Sequence, residues 1–243
     1  MSYNGTHYHG WQVQPNAVTV QATLNKALSV LLKSPTDSMG AGRTDTGVHA
    51  VQMVAHFDTE VSFDTEQMPY KLNAFLPKDI AVNVIKNVHK EAHARFDATS
   101  RSYIYKITTT KDVFEHDKCH CFTRPLDINL MNKASRILMG SKDFECFSRM
   151  HSDVKTFLCQ ISHAQWTQTK NHLEFKITAD RFLRNMVRAI VGTMLDVGIS
   201  KTSLDEFKNI IESKDRSNAG ASAPAKGLYL TEILYPNSIY LDD

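Results

Sequence analysis

Only four cysteines occur in 243 residues, far too few for a disulfide scaffold in a chain of this length, so a reducing cytoplasm is the expected setting. Nowhere does an apolar run reach the length that spans a bilayer, and the start Met1-Ser2-Tyr3-Asn4-Gly5-Thr6-His7 is polar where a secretory signal is apolar. An excess of one charge is lacking too. The 28 Lys and Arg against 26 Asp and Glu give a net +2 and a pI near 8.3, which permits an anionic partner without demanding one. Any nucleic-acid signal must therefore come from where the arginines sit. What remains, 42% hydrophobic and 22% charged, is ordinary globular composition. The length suits one large domain or two modest ones, burying roughly three quarters of the unfolded surface.

Hydrophobic spacing orders the chain. Met1 to Tyr3 reads as a strand stub turned at Asn4-Gly5, and Tyr8-His9-Gly10-Trp11 as a loop. Val20, Leu24, Ala27, Leu28 and Leu31 lie at helical offsets, predicting a helix with one buried face. After Ser34-Pro35 comes a short strand. Val51, Met53, Ala55 and Phe57 then alternate as a further strand, Thr65 to Phe75 is a helix stopped at Pro77, and Ile80 to Val88 alternates again. Beyond that, Tyr103, Tyr105 and Ile107 alternate along a strand, and Ile128 to Met139 is a helix closed by Gly140. Thr156–Gln168 and His172–Ala179 form a hairpin across Lys170-Asn171. Asn185 to Val197 is an amphipathic helix closed by Gly198, with Met186, Val187, Ile190, Val191, Met194 and Leu195 on one side. A helix near Leu204 to Glu212, a polar, alanine-rich loop from Ser213 to Lys226, and a strand from Leu228 to Leu234 complete the order. Twice the order is β-α-β-β-α-β, so the expected class is α+β. Two split β-α-β units of the ferredoxin-like kind are expected, one over 1–98 and one over 99–243. A ligand would sit at their junction.

Chemistry concentrates in Gly42-Arg43-Thr44-Asp45-Thr46-Gly47-Val48-His49-Ala50. Flanking glycines free the backbone for positive φ or for close approach to a ligand, and Arg43 favours an ionised Asp45, a nucleophile or base. A polar turn with a local ion pair would read the same way. Downstream, Arg181, Arg184 and Arg188 fall at offsets 0, 3 and 7, which predicts one helix face that is either a solvated basic stripe or a phosphate-facing edge. Tyr103 and Tyr105 share a strand face, where tyrosines serve in cores and interfaces as well as in base stacking.

The nine-residue stretch resembles the active-site motif of the bacterial tRNA pseudouridine synthase A family, whose usual form has alanine where Thr46 stands. Further landmarks resemble the family's in the same order: Tyr3 to Gln12, His93 to Tyr105, Phe182 to Arg188 and Ala225 to Leu230. The resemblance covers nearly the whole chain. It implies two α+β halves joined in a mostly antiparallel sheet with a central cleft. It also implies a cofactor-free, metal-free isomerase turning uridine into pseudouridine in the anticodon stem-loop, at positions thirty-eight to forty. By the same resemblance Asp45 is the catalytic carboxylate, attacking the sugar C1′ or removing a C2′ proton, with Arg43 and Arg188 as supports. Tyr103 would stack under the flipped base and handle a proton, and Leu228 would lie against that base. Arg181 and Arg184 would bind the substrate backbone. A homodimer holding one tRNA across both subunits is implied as well. Relative to the family the chain begins inside the first strand, so that strand is expected to fray.

Competing readings are weaker. His116, Cys119, His120 and Cys121 crowd together as zinc ligands would, yet adjacent ligands on a strand face opposite sides and no second cluster follows. Asp45-Thr46-Gly47 spells the aspartic-protease triplet, but it occurs once, and Arg43 opposes a shared proton. A catalytically silent RNA-binding module of the same fold would also carry the arginines. Asp45 separates the two, because a binder gains nothing from a carboxylate facing phosphates.

Overall fold

The structure, a computed structural model, describes residues 1–149 and 154–241. It comprises two compact units: Met1–Thr99 with Leu230–Asp243, and Ser100–Tyr229. The C-terminal stretch from Leu230 thus belongs with the N-terminal unit. The reason is backbone pairing, since the Leu230 carbonyl accepts from the Val51 and Gln52 amides at 2.8 and 3.3 Å, and the Leu234 carbonyl from Thr99 at 2.8 Å.

In the first unit the elements are β1 (Ser2–Tyr3), α1 (Val20–Leu32), β2 (Ser38–Gly40), β3 (His49–Ala50), β4 (Ala55–Phe57), α2 (Gln67–Phe75) and β5 (Ile80–Ala81). Helix α1 starts where its apolar spacing starts. Thr19 caps it by accepting from the Ala22 amide, worth about 1 kcal/mol, and Val20, Leu24, Ala27, Leu28 and Leu32 are buried. Strand β1 pairs antiparallel with both β3 and β5, and Tyr3 is buried, so this short strand lies between two partners and does not present the frayed edge expected of it. A single strand over 51–57 does not form. The chain leaves β3, spends its Met53 amide on the Met1 carbonyl, and enters β4, which pairs antiparallel with β2 as a separate ribbon. The apolar alternation of the sequence runs through the break but burial does not follow it: Val51 and Met53, which would share one face of a strand, are exposed and buried respectively. The run from Ile80 to Val88 likewise yields only β5 and an isolated bridge from Val88 to Tyr240.

The second unit contains β6 (Ser100–Thr108), β7 (His120–Cys121), α3 (Ile128–Gly140), β8 (Ile161–Thr169), β9 (His172–Ala179), α4 (Met186–Gly198) and α5 (Leu204–Ser213). Strand β10 (Leu228–Leu234) starts in this unit and ends in the first. β6 and β8 flank β9 antiparallel, with Tyr103 opposite Ile177 and Tyr105 opposite Phe175, and β7 adds in parallel to the end of β6. The class is therefore α+β with a mainly antiparallel sheet. The hairpin turns at Lys170, in the left-handed region at φ 52. β8 begins at Ile161 rather than Thr156, because Leu158 bridges Asp143 and the Asp180 carboxylate accepts from the Gln160 amide at 2.7 Å.

Two glycines expected as helix stops act otherwise. Gly140 and Gly198 are the last residues of α3 and α4 and neither is a left-handed cap; at Gly198 a Cβ would come 2.7 Å from Leu126 and Met131 side-chain atoms. Close packing, not chain reversal, requires it. Nor is α4 one-sided. Ten of its thirteen residues are buried, Ala189 and Thr193 included, which makes it the central helix of the unit. Its Met194 sulfur accepts from the Trp166 indole N–H at 3.2 Å, and Trp166 stacks on Phe175 with ring centroids 4.8 Å apart. Each such side chain contributes roughly 1.5 to 3 kcal/mol on burial.

Candidate active site

Asp45 sits between β2 and β3 on a loop that backbone contacts hold. The Thr44 carbonyl accepts from the Trp11 amide at 3.2 Å, the Gly47 amide donates to the Tyr8 carbonyl at 3.3 Å, and the Val48 amide donates to the Asp45 carbonyl at 3.1 Å. Glycine is required at two of these points. Gly10 has φ +86, and a Cβ there would overlap the Thr44 carbonyl; Gly47 turns the chain at φ +77. Gly42 differs from both. It has an ordinary φ and open space around its Cβ position, so the first glycine of the motif supplies neither positive φ nor close packing. Side chains close the loop from below: the Tyr3 and Thr44 hydroxyls meet at 2.9 Å, and buried His49 accepts from the Gly5 amide through Nδ1 at 3.2 Å. Thr44 is buried, Asp45 half-buried, and Arg43 and Thr46 exposed. Of the expected motif, then, the structure offers a partly shielded carboxylate on a fixed loop.

The remaining candidates belong to the second unit. Tyr103, half-buried on β6, packs edge-on against Phe182 with ring centroids 5.1 Å apart at 87°. Two residues along, Tyr105 is fully buried and donates to the Pro224 carbonyl at 2.8 Å. Burial raises its phenol well above the ordinary range, against a lowering influence of the Arg188 charge, so Tyr105 is a structural donor and not an acid. The strand thus gives its two tyrosines different jobs. Leu228 is buried at the start of β10, directly after Gly227, whose Cβ would come 2.7 Å from the Tyr105 ring.

The single helix face expected for Arg181, Arg184 and Arg188 does not form. Helix α4 begins at Met186 after Asn185, which stands in the left-handed region at φ 66 and breaks the helical path, so only Arg188 is on the helix. Arg181 donates to the Thr156 carbonyl at 3.3 Å, and exposed Arg184 offers its carbonyl to the Arg149 amide at 3.1 Å. Arg188 donates through Nε to the Ala223 carbonyl at 2.7 Å, while the Ala223 amide donates back to the Arg188 carbonyl at 2.9 Å.

That contact exposes what the sequence reading missed. Residues 213–226, a polar, alanine-rich loop by sequence, contain Arg216, which donates to the Ala219 and Gly220 carbonyls and to the Ser222 hydroxyl. An arginine among turn-forming Asp215, Ser217, Asn218 and Gly220 was the available signal. Among the described residues no group of three or more metal-ligating side chains gathers: His116 pairs with Asp117 at 2.9 Å, Cys119 is buried, and Cys121 is exposed. No described helix is long and apolar enough to cross a membrane.

Comparison with known proteins places this geometry in a family. A family model described as tRNA pseudouridine synthase matches residues 1–97 and 134–236. Proteins called tRNA pseudouridine synthase A include one from Parabacteroides distasonis, 51% identical over 241 residues, covering 99% of this chain and 96% of the relative. Another, from Bacteroides fragilis, is 51% identical over 242 residues with the same coverage, and one from Bacillus subtilis is 44% identical over 241 residues, 98% of each chain. The matched segments hold Asp45, Arg188 and Leu228 alike, and the chain belongs to the tRNA pseudouridine synthase family.

Proposed function

We propose that this chain is an isomerase that converts uridine to pseudouridine in the anticodon stem-loop of tRNA, at positions thirty-eight to forty. The observation that carries the reading is the Asp45 carboxylate, half-buried on a loop whose backbone is pinned at Gly10 and turned at Gly47. A carboxylate so held is oriented before substrate arrives, which lowers the entropic cost of reaching the sugar. In the reaction the N1–C1′ bond breaks, the base turns, and C5 bonds to C1′. The proton on C5 leaves and N1 gains one. Atoms and electrons balance without an oxidant or a transferred group, so the chemistry calls for no cofactor and no metal.

Asp45 begins the exchange, by attack at C1′ or removal of a C2′ proton. Arg188 supports its charge, and exposed Arg43 joins it in holding the phosphate beside the reacting sugar. The uridine must leave the stack, at a cost of a few kcal/mol. Tyr103 stacks under the base and relays the C5 proton, Leu228 closes the apolar side, and Arg181 with Arg184 grips the backbone. In this reading the chain forms two ferredoxin-like halves, 1–98 and 99–243. Two copies hold one tRNA in the cytoplasm.

Carbodiimide and primer extension on tRNA from a strain lacking this gene test the proposal. Stops at positions thirty-eight to forty should vanish and return with the gene; unchanged stops would reject it. Binding to tRNA should weaken steeply with salt, each neutralised phosphate adding roughly 0.7 to 0.9 to the log-log slope.

A further inference from the structure

Arg188 is the one arginine of its group on a regular helix, and its guanidinium is not left to find its own direction. Nε donates to the Ala223 carbonyl, and the Ala223 amide returns a bond to the Arg188 carbonyl. A guanidinium is planar with its donors in a fixed fork, so a bond at Nε sets the plane in which the terminal nitrogens lie. The direction of Arg188 therefore depends on where residue 223 is held.

Residue 223 is held by the segment around it. Arg216 gathers that segment, with Nη1 at 3.3 and 3.1 Å from the Ala219 and Gly220 carbonyls and Nη2 at 3.0 Å from the Ser222 hydroxyl. The same hydroxyl accepts from Asn185 at 2.7 Å, at the head of α4. Thr193, on α4, accepts from the Gly220 amide at 2.9 Å, and Gly192 leaves room for the Ala221 carbonyl that a Cβ would overlap. Tyr105 fixes the following Pro224 carbonyl from β6. Among the described residues Arg216 meets carbonyls and a hydroxyl, not a carboxylate, and its charge serves to collect acceptors that would otherwise splay.

We propose that Arg216 is a positioning residue for the isomerisation, acting through Arg188 by holding the 219–224 segment whose Ala223 carbonyl orients the Arg188 guanidinium. This rests on the role given to Arg188 above. It makes a specific demand. Loss of Arg216 should slow the chemical step while leaving tRNA affinity nearly unchanged, and should cost nothing further once Arg188 has lost its oriented fork.

The test is a double-mutant cycle read by single-turnover release of tritium from C5-tritiated tRNA. Arg216→Ala should slow release about tenfold or more, with tRNA Kd within about threefold of wild type. In an Arg188→Lys background, where the charge stays but the planar fork is gone, adding Arg216→Ala should change the rate less than about twofold. Ser222→Ala, a milder change that removes the acceptor shared by Arg216 and Asn185, should give a several-fold loss that the Arg188→Lys background likewise absorbs. It keeps the test open if Arg216→Ala fails to fold. Losses that multiply in the double variants would overturn the proposal, because Arg216 would then act independently of Arg188. A wild-type rate for Arg188→Lys would overturn it too, while leaving a charge role for Arg188 intact. Only a wild-type rate for Arg188→Ala would remove the functional reading of Arg188 itself.

Discussion

Strands β1 to β5 of the first unit run two or three residues each, whereas β6, β8 and β9 of the second run eight or nine. The two units accordingly fix their candidate residues by different means. Asp45 hangs between short strands and depends on single backbone contacts, with Gly10 allowing the Thr44 carbonyl to come close. Tyr103 and Arg188 ride on a long ladder and a buried helix, where many repeated bonds share the load. A substitution near Asp45 should therefore disturb structure before chemistry, and one at Tyr103 should disturb chemistry alone.

The widest contrast should come from Tyr103→Phe. The ring stays, so tRNA should bind nearly as well and thermal stability should change by under about 0.5 kcal/mol. Release of tritium from C5 should fall about 100-fold or more if the hydroxyl handles that proton. Tyr103→Leu should also lose about 1 to 3 kcal/mol of binding from stacking. Wild-type tritium release by the phenylalanine variant would leave Tyr103 as a packing residue against Phe182.

Next in size is Gly10→Ala. Left-handed strain and displacement of the Thr44 carbonyl should together cost about 2 to 4 kcal/mol, seen as a fall in melting temperature of roughly 4 to 16 °C. Gly42→Ala, in the same motif but with open space at its Cβ position, should cost less than about 0.5 kcal/mol. Equal effects at the two glycines would break the contrast, since close approach would not then be what fixes the loop.

A smaller effect concerns His56, on β4, whose Nδ1 accepts from the Ala94 amide at 3.1 Å and whose ring lies 4.7 Å from that of His93. Burial first, and the neighbouring His93 second, lower its pKa, against the opposing pull of Asp58 and Asp97. Because the folded pKa lies below the unfolded one, the full contribution is present above about pH 6.5 and is lost as pH falls through the folded value. Melting temperature should drop by no more than about 2 °C across that range, and His56→Asn, which keeps an acceptor that cannot be protonated, should flatten the drop. An undiminished drop in the variant would assign it to another group.

The same contrast explains what could be read in advance. Periodicity located β6, β9, α3, α5 and β10 closely, because long ladders and helices repeat the pattern that reveals them. It failed at 51–57, where alternation persists although the chain changes partners between β3 and β4. It also failed at 181–188. Helical spacing continues there through Asn185, whose left-handed backbone no side-chain pattern announces. Asp45 was legible through its motif, but its pinning by Gly10 was not, because the contact joins residues far apart in sequence. Arg216 was missed for the same reason. Its acceptors are nearby, but the bond from Arg188 to the Ala223 carbonyl of the same segment exists only in the folded chain.

Purified Asp45→Asn tests the central claim most directly, since the amide keeps the size and shape of the carboxylate while removing its charge and basicity. Measured together on C5-tritiated tRNA, binding and single-turnover tritium release should separate completely: Kd within about threefold of wild type, and no release above background. Release within tenfold of the wild-type rate would contradict the assignment of the chemistry to Asp45.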